Sequence, residues 1–214
     1  MGADSRPGQP RRARLLRRSG GHADPDRKVP LSTSTVFDIG STQKQFNAAA
    51  VLLLVEDGRI SLSDDIRKYF PEMPNYGHTI TVDHLLTHTS GIRDWVPLLN
   101  LTSADEDALT VIFRQRNLNF EPGTEFSYSN SGYALLKELV ARVSGKSFAE
   151  FARTRMFEPL GMKSTMYGED ITAAANYALA YEKEGDAWKP DMMFGNDRGG
   201  GGVLTTTGDL LIWN

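Results

Sequence analysis

Between Val36 and Gly58 the chain reads VFDIGSTQKQFNAAAVLLLVEDG, a polar step at Ser41 to Gln45 that turns into an unbroken apolar run from Ala48 to Val55. That run is far short of the ~20 apolar residues a bilayer-spanning helix needs. It therefore reads as a buried helix from about Ser41 to Asp57, closed by Gly58, which can take the left-handed conformation that ends helices. Thr35 to Ile39, extended and β-branched, is expected as a short strand or strand-like lead-in. A chain of 214 residues, 40% hydrophobic and 24% charged, can surround such a helix with one large domain or two small lobes.

More helices follow. SLSDDIRKYFP predicts a short one stopped before Pro71, and TITVDHLLTHTSG another running into Gly91. Ser103 with Glu106, and Ser147 with Glu150, form capping-box patterns at the heads of two further helices. Between them, NSGYALLKELVARVSG sets Tyr133, Leu136, Leu139, Val140 and Val143 at helical spacing and stops at Gly145. YALAYEKEGDAWKP alternates and turns at Gly185, as a hairpin does, and GGGGVLTTTGDLLIWN reads as a glycine-rich loop entering a last helix. No repeat and no interdomain linker is visible.

Residues 1–27 are rich in Arg, Gly, Pro and Asp, can bury little apolar surface, and are expected to form a disordered basic tail. Only Leu15 and Leu16 follow its arginines, too few for the apolar stretch of a secretory signal, so no signal peptide is recognisable and the location stays open. A net charge of −3, with Lys and Arg scattered through the body, offers no broad cationic surface. Nucleic acid and membrane are not expected partners. The absence of cysteine excludes thiolate catalysis and Cys-ligated zinc while leaving the redox compartment undetermined.

Two segments carry candidate chemistry. A serine hydroxyl is a poor nucleophile until a positioned base takes its proton, and Ser41 and Lys44, at i and i+3, lie on one helix face. A serine at a helix start is also commonly a cap, so the residues alone leave both readings open. In FSYSNSGY, Tyr128 and Asn130 stand two apart and can turn a phenol and an amide into one cleft; a Tyr packed under a loop and an Asn capping its helix is the other reading. His84 and His88 have the spacing of two zinc ligands, but Leu85 stands where a His-Glu-x-x-His motif needs Glu, and no metal site is expected. His88 with Ser90 lacks the glycine elbow of a hydrolase nucleophile. Gly199 to Gly202 lacks the Gly-Lys-Ser/Thr ending of a phosphate loop and is expected to allow close backbone approach near the cleft.

Taken in order, VFDIGSTQKQF, LVEDGRISLSDDIRKYFPE, ITVDHLLTHTSGI, FEPGTEFSYSNSGYALL, VSGKSFAEFARTRMFEPLGMKST and GGGGVLTTTGDLLIW resemble the serine β-lactamase and penicillin-binding-protein superfamily. The branch is that of class C β-lactamases, D-alanyl-D-alanine carboxypeptidases and related esterases. The resemblance covers nearly all of residues 30–214. It implies a helix-rich α+β fold with a helical lobe and an antiparallel sheet, and a serine hydrolase working without cofactor or metal on a β-lactam, a D-Ala-D-Ala peptide or a small ester. It implies Ser41 as the acylated nucleophile, Lys44 as its proton acceptor, Tyr128 as a second acid/base group, and Asn130 as a hydrogen-bond partner for substrate and for Lys44.

The family's third motif, Lys-Thr-Gly or a His-containing equivalent, lies on a strand beside the nucleophile. TTG at Thr206 to Gly208 sits inside a loop-to-helix segment and does not match it. Relatives also carry strands ahead of GHADPDRKVPL. Residues 28–214 are thus expected to be a partial domain, truncated at both ends, with an incomplete sheet, marginal stability and weak or no activity. A catalytically inert relative, serving as a binding module or a gene fragment, is the alternative.

Overall fold

The computed structural model describes residues 19–101, 106–168, 176–190 and 202–214. The apolar run forms helix α1 (Lys44–Glu56), entered through a tight 3-10 turn (Gly40–Gln43). Phe46, Ala50, Val51 and Leu54 recur along one face and are fully buried. The opposite face is open: Leu52 is 50% exposed, so the helix is covered on one side rather than all round. Gly58 takes φ 68 just beyond it, the left-handed stop expected from the sequence.

Helix α2 (Val82–Leu86) is capped by Thr81, and helix α3 (Ala108–Arg114) by Asp107, whose carboxylate accepts from Thr110 N. Ser103, expected as the cap of that helix, lies outside the described residues. SLSDDIRKYFP yields one 3-10 turn, Ile66–Lys68. The long helix α4 (Asn130–Ser144) buries Leu135, Leu136, Leu139 and Val140 against α1 and ends at Gly145 in the left-handed region. Ser147 then caps α5 (Phe148–Ala152), which continues through a π-helical turn into α6 (Glu158–Leu160). Phe151 and Phe157 close the core, with Phe157 edge-on to Phe46. At ~25 cal/mol per Å² of apolar surface, such buried aromatic and aliphatic groups are the main source of cohesion.

The strands fall into small antiparallel sheets, none of them closed. Strands β1 (His22–Asp24) and β2 (Val29–Pro30) pair with each other. The tail expected through residue 27 is therefore partly folded: Ala23 is fully buried and its carbonyl accepts from Leu179 N. Residues 1–18 lie outside the described residues. Strand β3 (Phe37–Asp38) is the short strand expected before the Ser41 turn. After β4 (Met166–Gly168), the hairpin β5 (Tyr181–Glu184) to β6 (Ala187–Pro190) turns at Gly185, φ 63, as its alternation predicts.

Strand β7 (Gly202–Thr205) is a correction, since this segment reads as loop. It is the middle strand of the order β3-β7-β4, with Phe37 opposite Thr205 and Tyr167 opposite Val203. Both of its edges are satisfied by distant segments, so nothing local announces it. Gly199 to Gly201 lie outside the described residues. Thr206 caps the closing helix α7 (Thr207–Trp213), and buried Asp209 anchors it by accepting from Thr165 Oγ1 at 2.8 Å and Ser164 N at 2.7 Å. Trp213 of α7 lies over Phe46, ring centroids 4.5 Å apart. Among the described residues, no helix is long and apolar enough to cross a membrane.

Candidate active site

The turn that carries Ser41 is fastened at both ends. Asp38 Oδ1 accepts from Gly40 N at 2.8 Å, and Gly40 takes φ 50, a conformation that excludes most side chains. From β7, Val203 donates its N–H to Gln43 Oε1 at 3.1 Å and its carbonyl accepts from Ile39 N. Gly202 passes so close to Asp38 that an added Cβ would lie 3.1 Å from Oδ1. The sheet thus holds the turn.

Ser41 is exposed and does not cap α1, which starts three residues later with no side-chain cap bond at Gln43. Its hydroxyl meets the half-buried Lys44 instead: Nζ donates to Ser41 Oγ at 3.2 Å. The same Nζ donates to Asn130 Oδ1 at 2.9 Å, across 86 positions of chain. Asn130 is the first residue of α4 and Ser129 its N-cap, without a side-chain cap bond. The reading of Asn130 as a mere cap does not match its contacts.

Tyr128 completes the group. Its ring centroid lies 4.9 Å from Lys44 Nζ and the residue is 46% exposed. Tyr133 borders the same ammonium at 5.5 Å. The structure therefore brings Ser41, Lys44, Tyr128 and Asn130 together.

What holds Tyr128 and Asn130 in place is the loop after α2. Ser129 Oγ donates to Ile92 O at 3.2 Å, and Ser131 Oγ donates to Arg93 O at 2.7 Å while accepting from Trp95 N at 3.0 Å. Between them, Asn130 Nδ2 donates to Asp94 Oδ2 at 2.9 Å, and Asp94 Oδ1 accepts from Val96 N at 3.1 Å. The three residues Ser129 to Ser131 are thus each tied to residues 92–95. Asp94 carries no motif signal of its own; only the need of the Asn130 amide for an acceptor points to it.

His88 sits beneath this arrangement with φ 59, and its Nδ1 accepts from Ser129 N at 3.2 Å. Its ring lies against Tyr128 and Tyr133, centroids 4.6 and 5.0 Å away. Burial, and then the nearby Lys44 charge, lower its pKa. His84 points elsewhere: Nδ1 accepts from Thr81 N at 3.3 Å in the cap of α2. Among the described residues no cluster of three or more His, Cys, Asp or Glu could hold a metal ion.

A family model described as Beta-lactamase matches residues 10–214. Protein flp of Staphylococcus aureus (strain MRSA252) is 31% identical over 209 residues, covering 93% of this chain and 42% of that protein. The structure of a penicillin-binding protein from Bacillus halodurans superposes with a TM-score of 0.80 at 29% identity, covering 91% of this chain and 62% of the other. The D-amino acid amidase from Ochrobactrum anthropi SV3, complexed with L-phenylalanine, gives 0.74 at 27%, covering 90% and 60%. The chain spans less than half the length of the flp protein it matches.

Proposed function

This chain belongs to the Beta-lactamase family, and on that premise we propose that it carries the site of a serine hydrolase working through an acyl-enzyme on Ser41. The observation that carries the reading is the position of Lys44 Nζ, shared between Ser41 Oγ at 3.2 Å and Asn130 Oδ1 at 2.9 Å. In the proposed reaction, neutral Lys44 takes the hydroxyl proton as Oγ attacks the substrate carbonyl. The oxygen that becomes negative is stabilised by the Ser41 backbone N–H at the positive end of the turn and helix. Tyr128, exposed beside Lys44, gives its phenolic proton to the leaving group and regains one from Lys44, which is then free to act again. A water then attacks the acyl carbonyl, gives up its proton to the same groups, and Ser41 regains its hydroxyl.

The substrate class we infer is a small acyl donor: a β-lactam, a D-Ala-D-Ala peptide, a short ester or a related amide. Support for that range comes from the names of the similar proteins, a penicillin-binding protein and a D-amino acid amidase. Domain organisation follows the same proposal: the hydrolase unit takes in residues 28–214 and, because β1 pairs with β2, the stretch from His22 as well.

A second reading is a catalytically inert relative acting as a binding module or a gene fragment. One experiment separates the readings. The protein is incubated with a fluorescent penicillin and with an activated short-chain ester, and the peptide carrying Ser41 is weighed. A mass increment that disappears in Ser41→Ala supports the hydrolase; no increment with either probe supports the inert relative.

A further inference from the structure

We propose that Asp94 is a positioning residue for the Ser41 site: its carboxylate decides which way the Asn130 amide faces, and so presents an oxygen rather than an N–H to Lys44. The importance of this for acylation rests on the hydrolase reading; the orientation itself does not.

The logic is one of donors and acceptors. Lys44 Nζ directs an N–H at Asn130, which an amine can do whether or not it carries its extra proton, and a carboxylate can only accept, so an amide set between them bridges in one sense. Asn130 stands in that place, with Oδ1 2.9 Å from Lys44 Nζ and Nδ2 2.9 Å from Asp94 Oδ2. Without the carboxylate, the last torsion of an asparagine is broad and two-fold, and the amide could turn over. Its N–H would then face Lys44 Nζ, and Lys44 would lose an acceptor. Asp94 is itself prevented from drifting: Oδ1 accepts from Val96 N, and the flanking backbone is tied down by Ser129 and Ser131.

The intervening amide also keeps the carboxylate one group away from the lysine. A carboxylate in direct contact favours the charged form of a basic group, which is the wrong form for accepting the proton of Ser41. The relay of Asp94, Asn130 and Lys44 gives orientation without a direct ion pair.

Two substitutions test this while keeping an oxygen for Val96 N: Asp94→Asn and Asp94→Ser. The first readout is solvent exchange of the Asn130 side-chain amide protons by NMR, in protein whose backbone spectrum shows the native fold. Exchange should be faster in both variants than in the parent. Equal exchange in parent and folded variants overturns the proposal, whether or not Ser41 is ever acylated. The second readout is the rate of Ser41 labelling by an activated ester. It should fall roughly 10- to 100-fold, the scale seen when the outer partner of an active-site group is removed, with half-saturation by the probe unchanged. Undiminished labelling in a folded variant overturns the catalytic part. A parent that no acylating probe labels defeats the hydrolase reading, and the amide exchange still decides whether Asp94 sets Asn130.

Discussion

His88 lies against Tyr128 with ring centroids 4.6 Å apart and planes inclined by 33°, while its Nδ1 accepts the backbone N–H of Ser129. One imidazole therefore supports the residues on both sides of that peptide, and it does so only while Nδ1 is unprotonated.

The pH dependence follows. Burial, then Lys44, hold the His88 pKa below its ordinary value of 6.5. The unfolded chain thus binds this proton more readily than the folded one, and stability rises with pH where the two differ. The contribution is fully present above about pH 6.5 and is lost as pH falls towards the folded pKa. Urea midpoints measured from pH 8 to 5 should fall on the acid side, and the fall should be smaller in His88→Gln. Identical profiles would remove His88 as the cause.

On the proposed mechanism the Ser41 hydroxyl has no base in Lys44→Ala, and labelling of Ser41 should fall ~10²- to 10⁴-fold. Rates of mass increment for the two proteins check this. Labelling at the parental rate would show that another group takes the proton.

Tyr128→Phe keeps the ring on His88 and deletes the phenol. Thermal stability should be unchanged, with labelling slowed by ~10²-fold or more if the phenol moves protons. A variant that labels normally reduces Tyr128 to a packing residue.

Ser131 is fully buried and uses its hydroxyl both as donor and as acceptor. Ser131→Ala takes the acceptor from the N–H of buried Trp95, while Arg93 O keeps its bond from Gln115 Nε2, and should cost about 1–3 kcal/mol by denaturant titration. A loss within 0.5 kcal/mol of zero, the scale of ordinary surface substitutions, would mean that the loop readjusts.

Gly91 combines φ 72 with a backbone so near that an added Cβ would sit 2.2 Å from Phe120 O. Gly91→Ala should destabilise by at least ~1–2 kcal/mol, since strain and clash act together. An unchanged unfolding midpoint contradicts that close approach.

Much of this was legible in the sequence wherever the signal is local. Periodicity marks α4, Gly58 and Gly145 mark helix ends, Gly185 marks the hairpin, and the spacings of Ser41 to Lys44 and Tyr128 to Asn130 mark two halves of the site. What could not be read is what distance in sequence conceals. Strand β7 becomes a strand because β3 and β4 flank it, and Asp94 acquires a role because Asn130 lies 36 positions away. Ser41 illustrates a milder failure: its expected place as first residue of the helix gives way to a 3-10 turn held by Asp38 and Gln43, and helical propensity alone does not encode that turn.

The bond from Val203 to Gln43 spans 160 positions. Closing so long a loop is entropically costly and is repaid only after both strands are in place. On the ribosome, the Ser41 turn thus remains without its support until almost the whole described chain has emerged. Ser41 and Lys44 are translated well before the strand that fixes their geometry, so a nascent chain paused before β7 should display the serine and lysine without the strand that holds them in register.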